Sequence, residues 1–241
     1  MPTFSRNISG SQAVTDVMKS MGLPAPASVS SSLDPTAVQL WALASEVGQQ
    51  LLTDYIWQFL DAEFTITTVI GTPNYALPAD WGGFTPDASW NRTTRMPLSG
   101  QILDHEWQAM KAISSVGTLF SVLYRIENNE VVFYNSPTAV QTIIMPYTSR
   151  GWVKTIAGTR RDNLTADDDT VLYDSQLFKE RLKLKWREEK GFDTTRQQEI
   201  ADDCLESAQG MDSPGRTLSL VPRSGIQYLS IFNIPNTGIG S

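Results

Sequence analysis

Apolar residues recur at helical spacing near both ends of the chain and at strand spacing in the stretch between them. The first helical stripe is Leu40, Leu43, Val47, Leu51, Tyr55 and Phe59. The second stripe is Phe178, Leu182 and Trp186, and a third, within a segment from about 195 to 209, is Ile200, Cys204 and Ala208. Steps of three or four residues keep a stripe on one face of a helix. Segregated helical and strand-rich portions favour an α+β fold over a sheet with alternating helices.

Polar and glycine residues mark the ends of these predicted helices. Asp34 can accept hydrogen bonds from the free amides of the first turn, and Pro35 fits the first helical position. The second helix has Asp174 or Ser175 as its candidate cap, and Gly191 is placed to end it. Both helices therefore have predicted starting points as well as predicted buried faces.

The stretch between the helical stripes contains several short strand patterns. Phe64–Ile70 is rich in Thr, Val and Ile, whose branched side chains suit strands, and a Gly-Thr-Pro-Asn turn follows it. Trp90–Met96 is a further predicted strand, and Asp104 begins a short predicted helix that ends near Ala112.

Two hairpins are predicted farther along the chain. The first joins Leu119–Glu127 to Glu130–Tyr134 through Asn128-Asn129, since asparagine tolerates the positive φ of a tight hairpin turn. The second joins Thr142–Tyr147 to Trp152–Ile156 through a Ser-Arg-Gly turn. The middle of the chain is thus expected to hold about five to seven short strands.

These patterns divide the chain into four predicted parts. They are an N-terminal arm and linker at residues 1–34, with a short helix from about Gln12 to Met21; a helical bundle from residues 35–62 and 171–210; an inserted, mainly antiparallel β domain at residues 63–170; and an extended C-terminal tail at residues 211–241.

The charge and the counts of histidine and cysteine exclude several classes of function. A net charge of −7 opposes tight, sequence-independent binding to DNA, because such binding needs Lys and Arg at phosphates. His105 is the single histidine, and Ala109 stands where the zinc motif HExxH needs a second one. Cys204 is the single cysteine, which excludes an internal disulfide. No catalytic residue, cofactor or metal site is therefore predicted.

Two charged segments have simpler interpretations than a binding site. Asp167-Asp168-Asp169 lacks the alternating ligands of a calcium loop, and the polar run Arg160–Thr170 is predicted to be an exposed connection. Lys179–Lys190 holds six basic and three acidic residues, which suits either a phosphate-facing helix or a solvated face. Pairs such as Glu180 with Lys183 and Lys185 with Glu189 favour the solvated face.

Several short segments, taken in order, resemble the head-to-tail adaptor proteins of tailed bacteriophages. This group includes tail tubular protein A and the packaged-DNA stabilisation proteins. The segments are Tyr55-Ile56-Trp57-Gln58, Tyr75-Ala76-Leu77-Pro78-Ala79-Asp80-Trp81, Trp90-Asn91-Arg92-Thr93-Thr94-Arg95, Glu106-Trp107-Gln108, and Leu184-Lys185-Trp186-Arg187 with Lys190-Gly191. The resemblance covers about residues 35 to 205.

The resemblance implies a structural virion protein at the head-tail junction, assembled in the host cytoplasm. It implies a ring of about twelve copies between the portal and a tail nozzle or tail-tube protein, through which double-stranded DNA passes. It also implies a helical bundle that carries a β domain, and it transfers no catalytic residue. No membrane partner is expected, because no apolar run approaches the roughly 18 residues of a membrane helix.

Two other functions remain open from the residues themselves. The aromatic residues of the strand-rich region could form a glycan- or receptor-binding tail module. Pairs of acids such as Glu188-Glu189 or Asp202-Asp203 could serve a glycoside hydrolase, whose chemistry needs no histidine.

The C-terminal tail combines breakers of regular structure with many apolar residues. Its prolines and glycines prevent a long regular element, yet apolar surface is costly to leave in water. We expect the tail to be mobile in the free chain and to become ordered on a neighbouring subunit or the portal. The alternative is that it folds back on its own β domain. The predicted contact residues are Leu218, Leu220, Tyr228, Ile231, Phe232 and Ile234.

Overall fold

The described part of the chain is a mixed α and β fold, in agreement with the predicted class. The structure is a computed structural model that describes residues 7–112 and 122–212. Its helices are α1 (Gly10–Ser20), α2 (Pro35–Asp54), α3 (Asp104–Ala112), α4 (Ser175–Lys190) and α5 (Thr195–Asp212), with a 3-10 turn at Gln58–Leu60. The predicted tail contacts, from Leu218 to Ile234, lie outside the described residues.

The start of α2 and both ends of α4 agree with the capping signals in the sequence, but α2 ends at Asp54, so Tyr55 and Phe59 of the predicted stripe lie beyond it. The Asp34 carboxylate accepts a hydrogen bond from the backbone N–H of Thr36 at the start of α2. Asp174 caps α4, and Gly191 ends it in the left-handed conformation with φ of 70°. The predicted N-terminal helix begins at Gly10, earlier than the expected start near Gln12, because Ser9 caps α1.

The helix-side core is the cluster of buried apolar residues that α1, α2, α4 and α5 share with short strands. It contains Ala13, Val14, Val17, Met18, Leu40, Leu43, Val47, Leu51, Trp57, Trp152, Val153, Leu164, Val171, Tyr173, Phe178 and Leu182. The predicted contact of the two apolar stripes is therefore present. The core is not helical alone, because the Trp152 ring lies against Gly48 of α2 and Phe178 of α4, and the strand residues Val153 and Val171 are buried in the same cluster.

A small four-stranded sheet supplies these strand residues. Its order is β1 (Ile8–Ser9), β12 (Thr170–Val171), β10 (Val153–Lys154) and β11 (Arg160–Arg161), and all its pairs are antiparallel. The Trp152 ring, fully buried, stacks on Tyr173 with centroids 5.8 Å apart.

A larger, nearly closed sheet of eight strands forms the second part of the fold. Its strands are β2 (Asp61–Thr67), β3 (Asn74–Ala76), β4 (Trp81–Phe84), β5 (Trp90–Asn91), β6 (Met96–Ser99), β7 (Val122–Glu127), β8 (Glu130–Phe133) and β9 (Thr142–Ser149). Their order is β2-β9-β5-β6-β7-β8-β3, with β4 also paired to β9. Every pair is antiparallel except β6 with β7. A separate core lies inside this sheet, built on Ile66, Leu98, Val131, Phe133, Ile143 and Met145.

The first predicted hairpin is confirmed and the second is wrong. β7 and β8 pair around Asn128 and Asn129, which have φ of 50° and 63° as a tight hairpin turn requires. Strand β9 instead pairs with the distant strand β2 from Thr142 to Thr148, and β10 belongs to the small sheet. The chain changes sheets at Arg150–Gly151, so the local turn signal did not indicate the partner strand.

Two segments that were predicted to be exposed or loosely attached are built into the helix-side core. Residues 8–29 are not a free arm, because α1 buries one full face and Val29 is also buried. Within 160–170, Leu164 and Asp169 are buried, although an exposed connection was predicted. Non-local partners explain both corrections. β1 pairs with β12, and the Asp167 carboxylate accepts hydrogen bonds from the backbone N–H groups of Val29 and Ser30.

Candidate interaction surfaces

A cleft of about 620 Å³ lies between the end of α2 and strand β4, and we call it the α2–β4 cleft. Its volume falls within the range of about 300–1,000 Å³ that is usual for ligand sites. The lining residues are Leu52, Thr53, Tyr55, Ile56, Trp57, Gln58, Asp61, Gly82, Gly83, Phe84, Thr85, Pro86, Thr148, Ser149 and Arg150. Only Asp61 and Arg150 among them carry a charge.

Local backbone geometry exposes an apolar side chain at this cleft. The chain becomes extended at Tyr55, with φ of −154° and ψ of 148°, so successive side chains then point to opposite sides. Trp57 points into the helix-side core, and its indole N–H donates to the Leu51 carbonyl at 2.7 Å. Ile56 points the other way and is 77% exposed. Because Trp57 is buried in the core, the adjacent Ile56 is exposed and forms part of the apolar wall of the cleft.

Two consecutive glycines in β4 line the opposite side of the cleft. A Cβ at Gly82 would lie 2.7 Å from the Thr148 carbonyl oxygen, so only glycine permits this approach of the two backbones. A Cβ at Gly83 would meet nothing within 4 Å, which leaves open space above the strand. Thr148 pairs with both Gly83 and Asp61 across β9. The glycine pair was visible in the sequence, but the reason for glycine at Gly82 is its close approach to β9, which the sequence did not indicate.

The last described residue lies at the rim of the same cleft. The Asp212 carboxylate, at the end of α5, accepts a hydrogen bond from the Gln58 backbone N–H at 2.7 Å. The chain therefore leaves the described structure next to a residue that lines the cleft.

A second recess of about 470 Å³ is lined by three arginines, namely Arg150, Arg160 and Arg161. Asp80 and Asp162 also line it, so its formal charge is nearly balanced. Burial and a hydrogen bond to Asp80 raise the pKa of Tyr147 to about 12, which keeps the phenol a proton donor to that carboxylate at neutral pH. The Asp80 carboxylate is therefore held by the Tyr147 hydroxyl within the fold.

The basic residues of α4 are largely engaged by neighbouring helices. Lys179 lies 3.6 Å from Asp16 of α1, Lys185 lies 3.0 Å from Glu46 of α2, and Arg181 lies 3.0 Å from Asp202 of α5. The predicted pair of Glu180 with Lys183 is present at 2.8 Å. Lys185 was expected to pair with Glu189 but contacts Glu46 instead, since α2 packs against this face. These contacts make the basic run part of the packing between helices, whereas a solvated face was predicted.

Helix α5 presents acidic residues on its exposed side. Glu199, Asp202, Asp203 and Glu206 are all exposed, and steps of three and four residues place them on one stripe. Of these, Asp202 is held by the ion pair to Arg181. We call this surface the α5 acidic stripe.

The residues considered for other chemistry are distributed across the fold. His105 is exposed on α3, and no group of three or more His, Cys, Asp or Glu suited to a metal is found among the described residues. Glu188 lines a small recess of about 170 Å³ together with Asp54, which is less than the usual size of a ligand site. Trp152 is fully buried, while Trp81 packs on Phe84 over the sheet core.

The chain matches no protein-family model, and comparison with proteins of curated function gives no significant match. None of the described helices is both long and apolar enough to cross a membrane.

Proposed function

We propose that the protein is a structural virion component, the head-to-tail adaptor that forms a ring between the portal and the tail of a bacteriophage. The observation that carries this proposal is the α5 acidic stripe, combined with the engagement of the α4 basic residues inside the fold. Such a surface repels phosphate, so DNA can move past it without adhering. The ordered resemblance of residues 35–205 to adaptor proteins supports the same function.

In a ring, the net charges of the subunits add up, which strengthens the repulsion of DNA phosphates by the acidic surface. Twelve copies at −7 each would carry −84, and we place the α5 acidic stripes toward the bore. Double-stranded DNA would pass through during packaging and ejection, while the ring helps to retain the packaged genome. No cofactor or metal takes part in this function.

The two cores of the fold have separate roles in this proposal. We interpret the helices around the helix-side core as the bundle that builds the ring, and the eight-stranded sheet as the inserted domain that it carries. In the assembled ring, Leu218, Leu220, Tyr228, Ile231, Phe232 and Ile234 contact the portal or a neighbouring subunit. A tail nozzle or tail-tube protein binds the ring on its other side.

Mixing the protein with its portal tests the proposal directly. Negative-stain images and particle masses should show a ring of about twelve copies seated on the portal. A trimer that binds glycans, or hydrolysis of a glycan that is lost on changing single acids, would contradict the adaptor function.

The C-terminal residues give this experiment a matched variant. A chain lacking residues 214–241 should remain folded and no longer assemble on the portal, because the described residues already form a continuous helix-side core among themselves. If the shortened chain still assembles, the C-terminal residues do not make the contact with the portal or a neighbouring subunit. An insoluble product would contradict the interpretation of these residues as a peripheral segment.

A further inference from the structure

The α2–β4 cleft has an apolar wall and open space above Gly83, and the chain leaves the described structure at its rim. We propose that, in the free chain, this cleft is the docking site for the protein's own C-terminal segment, residues 213–241. This inference favours the alternative in which the tail folds back on its own chain over a tail that is mobile before assembly, and it stands independently of the adaptor function because it concerns the isolated protein.

The end of the described chain lies beside the cleft. Asp212 is hydrogen-bonded to Gln58, and Gln58 lines the cleft. The C-terminal segment is therefore attached to the described structure at the cleft rim. A segment tethered so close has an effective concentration in the millimolar range for its own cleft, which favours it over a separate molecule.

The composition of the C-terminal segment is complementary to that of the cleft. The segment holds Arg216 and Arg223 and no acidic residue, which leaves −9 on residues 1–212 (−7 minus +2). Asp61 is exposed in the cleft and Asp212 stands at its rim, so the segment meets two acids against one basic lining residue, Arg150. The apolar residues of the segment meet a wall that includes Ile56, which is 77% exposed. Both the charge and the apolar surface of the segment thus find counterparts.

Strand β4 has a backbone edge to which an extended peptide can bind. This strand pairs with β9, and no other described strand pairs with it. An extended peptide can add to such an edge through main-chain hydrogen bonds. Residues 226–232 are rich in Ile, Tyr and Phe, which favour the extended conformation. A strand-like mode of docking therefore fits both partners.

Two pairs of variants of the full chain test the proposal. Gly83→Leu fills the cleft without clashing at Cβ, and Gly210→Leu is its control on the surface of α5, where a Cβ also meets nothing within 4 Å. Ile56→Glu places a charge on the apolar wall, and Ile156→Glu is its control at another exposed isoleucine, 89% exposed and outside the cleft.

The measurement is hydrogen–deuterium exchange of residues 218–234 without portal, at two protein concentrations, with the mass of the species measured in parallel. We expect exchange at least about tenfold slower than in a free peptide of the same sequence, on a monomer and at both concentrations. Gly83→Leu and Ile56→Glu should each abolish this protection, while both control variants retain it.

Three results would overturn the proposal. Unprotected amides in the free wild-type chain would mean that the segment has no site on this protein alone. Protection that appears only with dimers or larger species would assign the cleft to a second copy. Protection that survives both Gly83→Leu and Ile56→Glu would place the segment elsewhere on the fold.

Discussion

Gly48 lies in the middle of α2, where the Trp152 ring rests directly on the helix backbone. A Cβ at this position would lie 2.2 Å from the ring, too close for any real contact, and the Tyr173 hydroxyl donates to the Gly48 carbonyl at 3.0 Å. The absence of a side chain therefore sets the distance between α2 and the small sheet.

Gly48→Ala should lower the free energy of unfolding by about 1–3 kcal/mol, because overpacking outweighs the gain in helix propensity. Urea denaturation is the measurement. Gly210→Ala on the exposed side of α5 is the control, and it should leave stability unchanged or raise it. An equally stable Gly48→Ala protein would mean that the ring does not rest on α2.

Asp169 is a buried carboxylate that holds a loop together. Burial by itself raises its pKa, but hydrogen bonds from the backbone of Ala166 and Thr165 outweigh burial, so the pKa is lowered from its ordinary value. A lowered pKa in the folded state means that the charged group stabilises the fold above the unfolded pKa. This contribution is lost as the pH falls through the folded value.

Asp169→Asn should therefore cost about 1–3 kcal/mol at neutral pH, and the difference from wild type should shrink below about pH 4. Chemical denaturation between pH 3 and 7 measures both effects. Asp168→Asn is the matched control at an exposed neighbour. A cost for Asp169→Asn that is constant with pH would show that the charge is not what matters.

At the scale of elements, α2 and α4 share one buried surface through Leu51, Phe178 and Leu182. Leu51→Ala should lower the free energy of unfolding by about 2–5 kcal/mol, since Leu51 is almost fully buried and truncating it leaves a cavity in the core. Leu33→Ala, at a side chain that is 97% exposed, should change stability by less than about 0.5 kcal/mol. An unchanged unfolding midpoint for Leu51→Ala would reject the shared core.

At the scale of the whole molecule, the chain carries an excess of acidic residues, and three basic residues of α4 are paired with acids of neighbouring helices. The isolated protein should bind duplex DNA no more tightly than the micromolar range at physiological salt, and added salt should weaken this binding further. Fluorescence anisotropy with labelled duplex measures it. Sub-micromolar binding would contradict the acidic-bore interpretation and would assign a DNA-facing role to α4.

The α2–β4 cleft could not be predicted from the sequence. Ile56 and the glycine pair of β4 were all visible in the sequence, yet nothing local indicated that they share a cleft. They come together because β9 pairs with β2 on one edge and with β4 on the other. Pairing between strands that lie far apart in sequence depends on the whole core, which no short pattern records.

The sequence by itself determined the helical segments, the start of α2, both ends of α4 and the first hairpin, because apolar spacing, the Asp34 and Asp174 caps, Gly191 and the Asn128-Asn129 turn all act over a few residues. Only the tertiary structure decided that Trp152 belongs to the helix-side core and that β9 pairs with β2. The physical reason is burial: a large aromatic ring and a strand rich in apolar residues go where apolar surface is covered best, and that place is set by distant residues.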